Sequence, residues 1–183
     1  MADTKQTMDK WITQIDQITS DFESTFRELS EEQLNWQPHE NAWSIAQNMR
    51  HLILINESYF SILDSLRDGR YHPPFLSRFH FLSKLIGRTL LKSVQPDRKV
   101  KTKTYPIWEP DEQTNQDKIL DRFVRHQDEL KDQIKNSREL VANGAVICSP
   151  ANKNIVYPLE TAFDILIAHE RRHFVQAKEI LPK

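Results

Sequence analysis

The sequence predicts an all-α fold: a four-helix bundle with a long, helix-containing crossover between the second and third helices. Four long segments carry apolar residues at spacings of three and four, which is the period of an amphipathic helix. Glycine is scarce, with 3 residues in 183, and 28% of the residues are charged against 38% apolar. This balance is typical of a soluble helical protein, and the length predicts a single domain over residues 1–183.

The first long helix is predicted over residues 5–29, where the apolar residues follow the helical period. A capping-box pattern from Ser30 to Gln33 then predicts the start of a short helical turn. The second long helix begins at Ser44, a favoured N-cap residue, and ends at Asp68-Gly69, because glycine commonly terminates helices. The first half of the chain therefore predicts two long helices joined by a short connection.

Residues 70–103 differ from the rest of the chain in charge. They contain nine basic residues against one acidic residue, a net charge of +8. Apolar residues at helical spacing between 74 and 94 predict a basic amphipathic helix within this crossover. Its functional interpretations are a lid, a funnel for an anionic substrate or a membrane-surface contact. The structural interpretation is a helix that lies over the bundle with a solvated cationic face.

The third long helix is predicted over residues 115–141, with His126 exposed among charged neighbours. Residues 142–157 are predicted to form a loop, and its Cys148 is interpreted as a small buried or half-buried thiol. The fourth helix is predicted over residues 158–181, where Pro158 suits a first helical turn.

Composition limits the classes of function. A net charge of −1 argues against a general nucleic-acid binder, and one cysteine excludes an internal disulfide. The N-terminus has no apolar signal core, and no stretch reaches 18 apolar residues. Cytoplasmic residence without stable membrane insertion is the expectation, and a homodimer through helix faces is compatible with the architecture.

The fourth helix carries His169-Glu170-Arg171-Arg172-His173, an H-E-x-x-H sequence. Histidines at positions i and i+4 project from one helix face, here along the apolar stripe, and can bind one divalent metal such as zinc, nickel or iron. The structural alternative is a pair of core histidines bonded to carbonyl or carboxylate groups. A metalloprotease is excluded, because Gln176 and Glu179 stand where the extended protease motif requires glycine and histidine.

A third imidazole is available on the second helix. His51 lies among apolar residues there and can join His169 and His173 only if the two helices are neighbours. Three histidine ligands leave a fourth position open, as in catalytic zinc sites. Asn48 shares the face of His51, and its interpretations are orientation of His51, a bond to metal-bound water or a simple buried amide. Glu170 is interpreted as a base acting on metal-bound water, or as a carboxylate at the surface or behind the ligands.

These residues resemble a known family. The Trp43-Ser44-Ile45 opening, the His51-Leu52 step and the terminal His169-x-x-x-His173 followed by Gln176 resemble the DinB/YfiT-like family. The resemblance implies a four-helix bundle in which His51, His169 and His173 hold a divalent metal, for which zinc or nickel is expected. It does not imply binding to nucleic acid.

The same resemblance implies an activity on a small-molecule substrate. Characterised relatives include metal-dependent thiol transferases that use bacillithiol, mycothiol or glutathione, so a low-molecular-weight thiol is a candidate cofactor. The expectation is a thiol S-transferase or a related hydrolase. The alternative is a non-catalytic bundle, either with structural histidines or with an anionic ligand bound near residues 70–103.

Overall fold

The structure is a computed structural model that describes residues 2–40, 42–97, 104–110 and 118–181. Helices dominate it, as predicted. The long helices are α1 (Ala2–Phe26), α3 (Ile45–Arg67), α5 (Ile119–Lys135) and α7 (Leu159–Glu179). The shorter helices are α2 (Glu31–Asn35), α4 (His80–Ser93) and α6 (Arg138–Ala142).

The four long helices form the predicted bundle. Helix α1 packs against α5 and α7, and α3 packs against the same two helices. Large aromatic side chains fill the interior: Trp11 lies 5.2 Å from Phe163 between ring centroids, and Phe22 lies 4.5 Å from Phe123. No helix among the described residues is both long enough and apolar enough to span a bilayer.

Both predicted capping boxes are present. Ser30 caps α2 and Ser44 caps α3, and in each case the glutamine three residues later bonds back to the backbone N–H of the serine. Gly69 follows the end of α3 with a φ of +66°, a conformation that glycine adopts without steric cost. The caps therefore determine where α3 begins and ends.

The helix predicted in the crossover is α4, and a 3₁₀ turn at Phe75–Arg78 precedes it. Helix α4 packs on α7 and on a strand described below. Four of the nine basic residues counted in this segment lie at 98–103, outside the described residues.

The loop prediction for residues 142–157 is wrong in part. This segment contains an antiparallel hairpin of β1 (Val146–Ser149) and β2 (Asn152–Pro158), with an irregular register between Cys148 and Ser149. Its inner side chains, including Ile147 and Tyr157, are buried. The physical reason is the high strand propensity of the β-branched and aromatic residues that the two strands contain, which are Val146, Ile147, Ile155, Val156 and Tyr157; the turn between the strands lies at Pro150-Ala151.

The third helix is shorter than predicted. Residues 111–117, which include the predicted start, lie outside the described residues. At the other end α5 stops at Lys135, and α6 follows as a separate element. Ser137 lies buried at the break, and its hydroxyl donates to the Gln133 carbonyl oxygen at 2.8 Å. A serine that bonds the preceding turn in this way competes with regular helix hydrogen bonding.

The prediction that His126 is exposed is wrong. Its side chain is buried and stacks on Phe60 with ring centroids 5.4 Å apart. Burial and, to a smaller extent, the positive charge of Arg50 together lower the pKa of His126 to about 4. His126 lies on the same face of α5 as the buried residues Phe123 and Leu130. The helical period therefore predicts its burial better than the charged residues next to it in sequence do.

Candidate metal centre

The structure brings together the three histidines that the sequence singled out. His51 comes from the middle of α3, and His169 and His173 come from α7, one helical turn apart. Because α3 and α7 are neighbours in the bundle, one ring nitrogen from each histidine lies within 4.8 Å of the other two. Within the described part of the chain, this is the group of histidine, cysteine and acidic side chains with the geometry to hold a metal ion.

A backbone carbonyl orients His51. The Nδ1 atom of His51 lies 2.6 Å from the Trp108 carbonyl oxygen. A carbonyl can only accept, so Nδ1 carries the proton and Nε2 keeps its lone pair. Trp108 ends a 3₁₀ turn that starts at Pro106, and its indole N–H donates to the Ser58 hydroxyl of α3 at 3.0 Å. The connector before α5 thereby supplies the acceptor that sets the tautomer of His51.

An amide orients His173. Its Nδ1 atom lies 2.7 Å from Asn48 Oδ1, while Asn48 Nδ2 donates to the Ser44 carbonyl oxygen at 2.8 Å. The second bond requires the amide nitrogen to face Ser44, so the oxygen faces the imidazole. His173 therefore also carries its proton on Nδ1 and presents a lone pair at Nε2. The partner of Asn48 is His173, so the interpretation that it orients His51 is wrong.

The spacing of the imidazole nitrogens fits a shared metal ion. The Nε2 atoms of His169 and His173 lie 3.1 Å apart. Metal–nitrogen bonds of about 2.0–2.1 Å to two ligands on one ion place those nitrogens roughly 3 Å apart. Hydrogen-bonded partners behind the ligands are also typical of metal-binding histidines. The three-histidine group therefore has a composition that could hold a divalent metal ion, and the spacing of His169 and His173 is compatible with two ligands on one ion.

Burial keeps the cluster neutral, which is the protonation state that binds metal. His51 and His173 are buried, and His169 is partly exposed. Burial lowers the pKa of His51 to about 4, against a smaller opposing effect of its bond to the Trp108 carbonyl. The pKa values of His169 and His173 also lie well below the usual value, because of burial and then of repulsion among the imidazoles and Arg172.

Trp43 forms one wall of the cluster. Its ring centroid lies 4.6 Å from that of His51 and 5.9 Å from that of His173. Trp43 directly precedes the Ser44 cap, so the start of α3 positions both the wall and the amide of Asn48. Trp43 is partly exposed, so it is a wall of the cluster and not a fully buried core residue. Tyr59, in contrast, is a core residue, and its hydroxyl pairs with that of Tyr157 at 2.6 Å.

Glu170 lies in the bundle interior, so the interpretation of a surface carboxylate is wrong. Its Oε1 atom accepts from Asn56 Nδ2 at 2.9 Å and from Gln127 Nε2 at 3.0 Å. Burial raises the pKa of Glu170 to about 7, although the two amide bonds act in the opposite direction. The hydrogen bonds found for this carboxylate in the described residues run to α3 and α5 and not to the histidines.

The surroundings of Glu170 contain oxygen atoms without donors. Within the described residues, Glu170 Oε2, Asn56 Oδ1 and Gln127 Oε1 are buried and have no hydrogen-bond partner. An ionised carboxylate beside two such oxygens is costly, whereas a protonated one has a proton to donate. Together with the raised pKa, this arrangement favours the neutral acid at the centre of the bundle.

Asn48→Leu is expected to weaken zinc affinity by about 10–100-fold, the usual effect of removing a group that orients a metal ligand. The substitution removes the acceptor that holds His173 Nδ1. Isothermal titration with zinc measures the change. Asn48→Asp keeps an acceptor oxygen and is expected to retain the affinity of the unsubstituted protein. If the leucine variant binds zinc equally well, Asn48 is only a structural amide.

Comparisons with known proteins give one match, which is to a protein family. No curated protein and no solved structure gives a significant match to the chain. The profile of the DinB superfamily matches residues 14–177, a span that contains the three histidines, Asn48 and Trp108. Since this span covers most of the sequence, the chain belongs to the DinB superfamily.

Proposed function

We propose that this protein is a divalent-metal-dependent enzyme that transfers a low-molecular-weight thiol of the bacillithiol type to an electrophilic substrate. The observation that carries the proposal is the three-histidine cluster, in which two imidazoles have their Nε2 lone pairs set by protein acceptors. A divalent metal with three histidine ligands supplies an open position at which the pKa of a thiol or a water molecule falls toward neutrality. Zinc and nickel suit the imidazole donors.

The residues around the cluster have distinct roles in this proposal. His51, His169 and His173 hold the metal. Asn48 and the Trp108 carbonyl keep the Nδ1 protons in place, so they are positioning groups. Trp43 excludes water from one side of the site, which strengthens electrostatic interactions within it.

Glu170 is not assigned a role at the reacting atoms, because its described hydrogen bonds lie with Asn56 and Gln127. This differs from the zinc-protease arrangement, in which the glutamate of the H-E-x-x-H motif acts as the base. The proton released by the thiol is accordingly expected to leave to solvent, past the partly exposed His169.

The first test measures metal content and thiol transfer on the same preparation. Protein purified without chelator is expected to hold about one zinc or nickel per chain by elemental mass spectrometry, the stoichiometry of a three-histidine site. His51→Ala is expected to lose that metal, and the exposed His39→Ala is the matched control that keeps it. Transfer of bacillithiol, mycothiol or glutathione to an electrophilic fluorogenic acceptor is then expected only from the metal-loaded protein.

The outcomes separate the alternatives. Absence of metal after incubation with zinc and nickel would contradict the proposal and favour a bundle with structural histidines. Metal uptake with ester hydrolysis, but without transfer of any of the three thiols, would replace the transferase with a hydrolase. Metal uptake with neither activity would favour a non-catalytic binding protein.

A further inference from the structure

We propose that the outward face of α4 docks on the surface of an anionic lipid bilayer. This cationic-aromatic face consists of Phe81, Lys84, Leu85, Arg88 and Lys92. The inference is independent of the proposed function, because none of these residues takes part in the histidine cluster. It concerns peripheral contact with lipid headgroups and not insertion across the membrane.

The five residues share one side of the helix. At 3.6 residues per turn they fall within an arc of about 100°, and all five are exposed. Phe81 is 83% exposed and Leu85 is 52% exposed, both high values for large apolar side chains. Large exposed apolar groups in one patch commonly mark a binding surface.

The opposite side of α4 is already used for packing. Gly87 lies so close to α7 and β2 that a Cβ atom there would stand 2.9 Å from Thr161 Cγ2 and 3.0 Å from Tyr157 Cβ. Arg172 Nη1 also donates to the Ser93 carbonyl oxygen at 2.9 Å. The opposite side therefore holds α4 on the body of the protein. The cationic-aromatic face is not needed for this packing.

The 3₁₀ turn before α4 also exposes aromatic rings beside a cationic side chain. Phe75 and Phe79 are 68% and 50% exposed, with ring centroids 5.6 Å apart. The Arg78 guanidinium lies over the Phe75 ring at 5.6 Å. Aromatic rings beside cationic side chains are typical of segments that rest at the boundary between lipid headgroups and acyl chains.

Charge makes the surface complementary to anionic lipid. Among the described residues, Arg78, Lys84, Arg88 and Lys92 form no ion pair with a carboxylate. Residues 70–97, which the structure describes, contain five basic residues against Asp97, a net charge of +4, while the whole chain carries −1. This local excess of positive charge favours contact with a negative surface.

Other occupants fit less well. A second copy related by a two-fold axis would bring this cationic face against itself, because residues 80–93 contain no acidic residue. A nucleic acid would contact the cations but leave Phe81 and Leu85 in water. A bilayer accommodates both, with phosphates at the cations and the acyl boundary at the apolar side chains.

Vesicle sedimentation tests the proposal with the full chain. The protein is expected to bind vesicles of phosphatidylcholine mixed with phosphatidylserine. It is not expected to bind vesicles of phosphatidylcholine alone. Lys84→Glu/Arg88→Glu is expected to lower the partition coefficient by about 30-fold or more, since each cation near the surface contributes about one factor of five. Phe81→Ser/Leu85→Ser is expected to lower it by about 10-fold, because the apolar anchor is lost.

Matched controls lie elsewhere on the surface. Lys5→Glu/Lys10→Glu reverses two exposed cations on α1, and Trp36→Ser removes an exposed aromatic residue outside α4. Both are expected to bind as the unsubstituted protein does, and circular dichroism confirms that every variant is folded.

Three results would overturn the proposal. The first is failure to bind the anionic vesicles, and the second is equal binding to neutral vesicles. The third is a dimer in sedimentation velocity that Phe81→Ser/Leu85→Ser dissociates, which would assign the cationic-aromatic face to a second copy of the chain.

Discussion

His173→Ala is expected to abolish the thermal stabilisation that zinc gives to this protein. A ligand present at about 1,000 times its dissociation constant stabilises the folded state by about 4 kcal/mol. For a chain of this size that corresponds to a rise of roughly 8–16 °C in the unfolding midpoint. Removing His173 leaves two of the three imidazoles, and the Asn48 oxygen loses the ring that it orients. Differential scanning calorimetry with and without zinc measures the change.

The zinc response distinguishes a ligand from a structural histidine. His173→Ala is expected to unfold at a lower temperature even without metal, because it leaves a cavity and an unpaired buried acceptor. The decisive quantity is therefore the shift on adding zinc, which should vanish in His173→Ala and persist in His39→Ala. An undiminished shift in His173→Ala would place the metal elsewhere.

Glu170→Gln is expected to gain about 2–3 kcal/mol of stability relative to the unsubstituted protein when the pH is raised from 5 to 8. Burial raises the pKa of Glu170 to about 7 in the folded state from 4.5, so the fold favours the protonated acid. Its contribution is fully present below pH 4.5 and is lost as the pH rises toward 7 and above. Glutamine cannot ionise and keeps an oxygen that accepts from Asn56 and Gln127.

The measurement is urea unfolding of the chelated, metal-free proteins at several pH values. The lowered pKa values of His51, His169 and His173 act with the opposite sign, since they reduce stability as the pH falls below 6.5. Subtracting the free energy of unfolding of the unsubstituted protein from that of Glu170→Gln at each pH removes the contribution of these histidines and leaves that of Glu170. Glu160→Gln replaces an exposed glutamate of α7 and serves as control. A difference that does not change with pH would mean that Glu170 ionises normally.

The sequence predicted well wherever a local pattern carried the information. The apolar period located the four long helices, and the serine–glutamine pairs located the starts of α2 and α3. The same period correctly placed His169 and His173 on one face of α7. The apolar period also includes position 126 and so indicates a buried His126. The charged residues next to it in sequence led instead to the prediction of an exposed side chain. The hairpin at residues 146–158 was missed because a short apolar segment between helices does not reveal its pairing partner.

Other features of the cluster had no local signal. The acceptor for His51 is a backbone carbonyl at Trp108, 57 residues away in sequence, and any residue type offers a carbonyl. Asn48 was recognised as a polar residue on the right face, but its partner proved to be on α7. Glu170 is adjacent in sequence to a candidate ligand, yet its hydrogen bonds run to Asn56 and Gln127 and not to the histidines.

The sequence by itself determined which side chains share a face of each helix and which of these faces is apolar. Those properties depend on neighbours three and four residues apart. Only the tertiary structure decided that α3 lies beside α7, that three imidazole nitrogens meet within 4.8 Å, and which acceptor faces each ring. The physical reason is that helix neighbours are chosen by packing of the whole core, to which every buried side chain contributes.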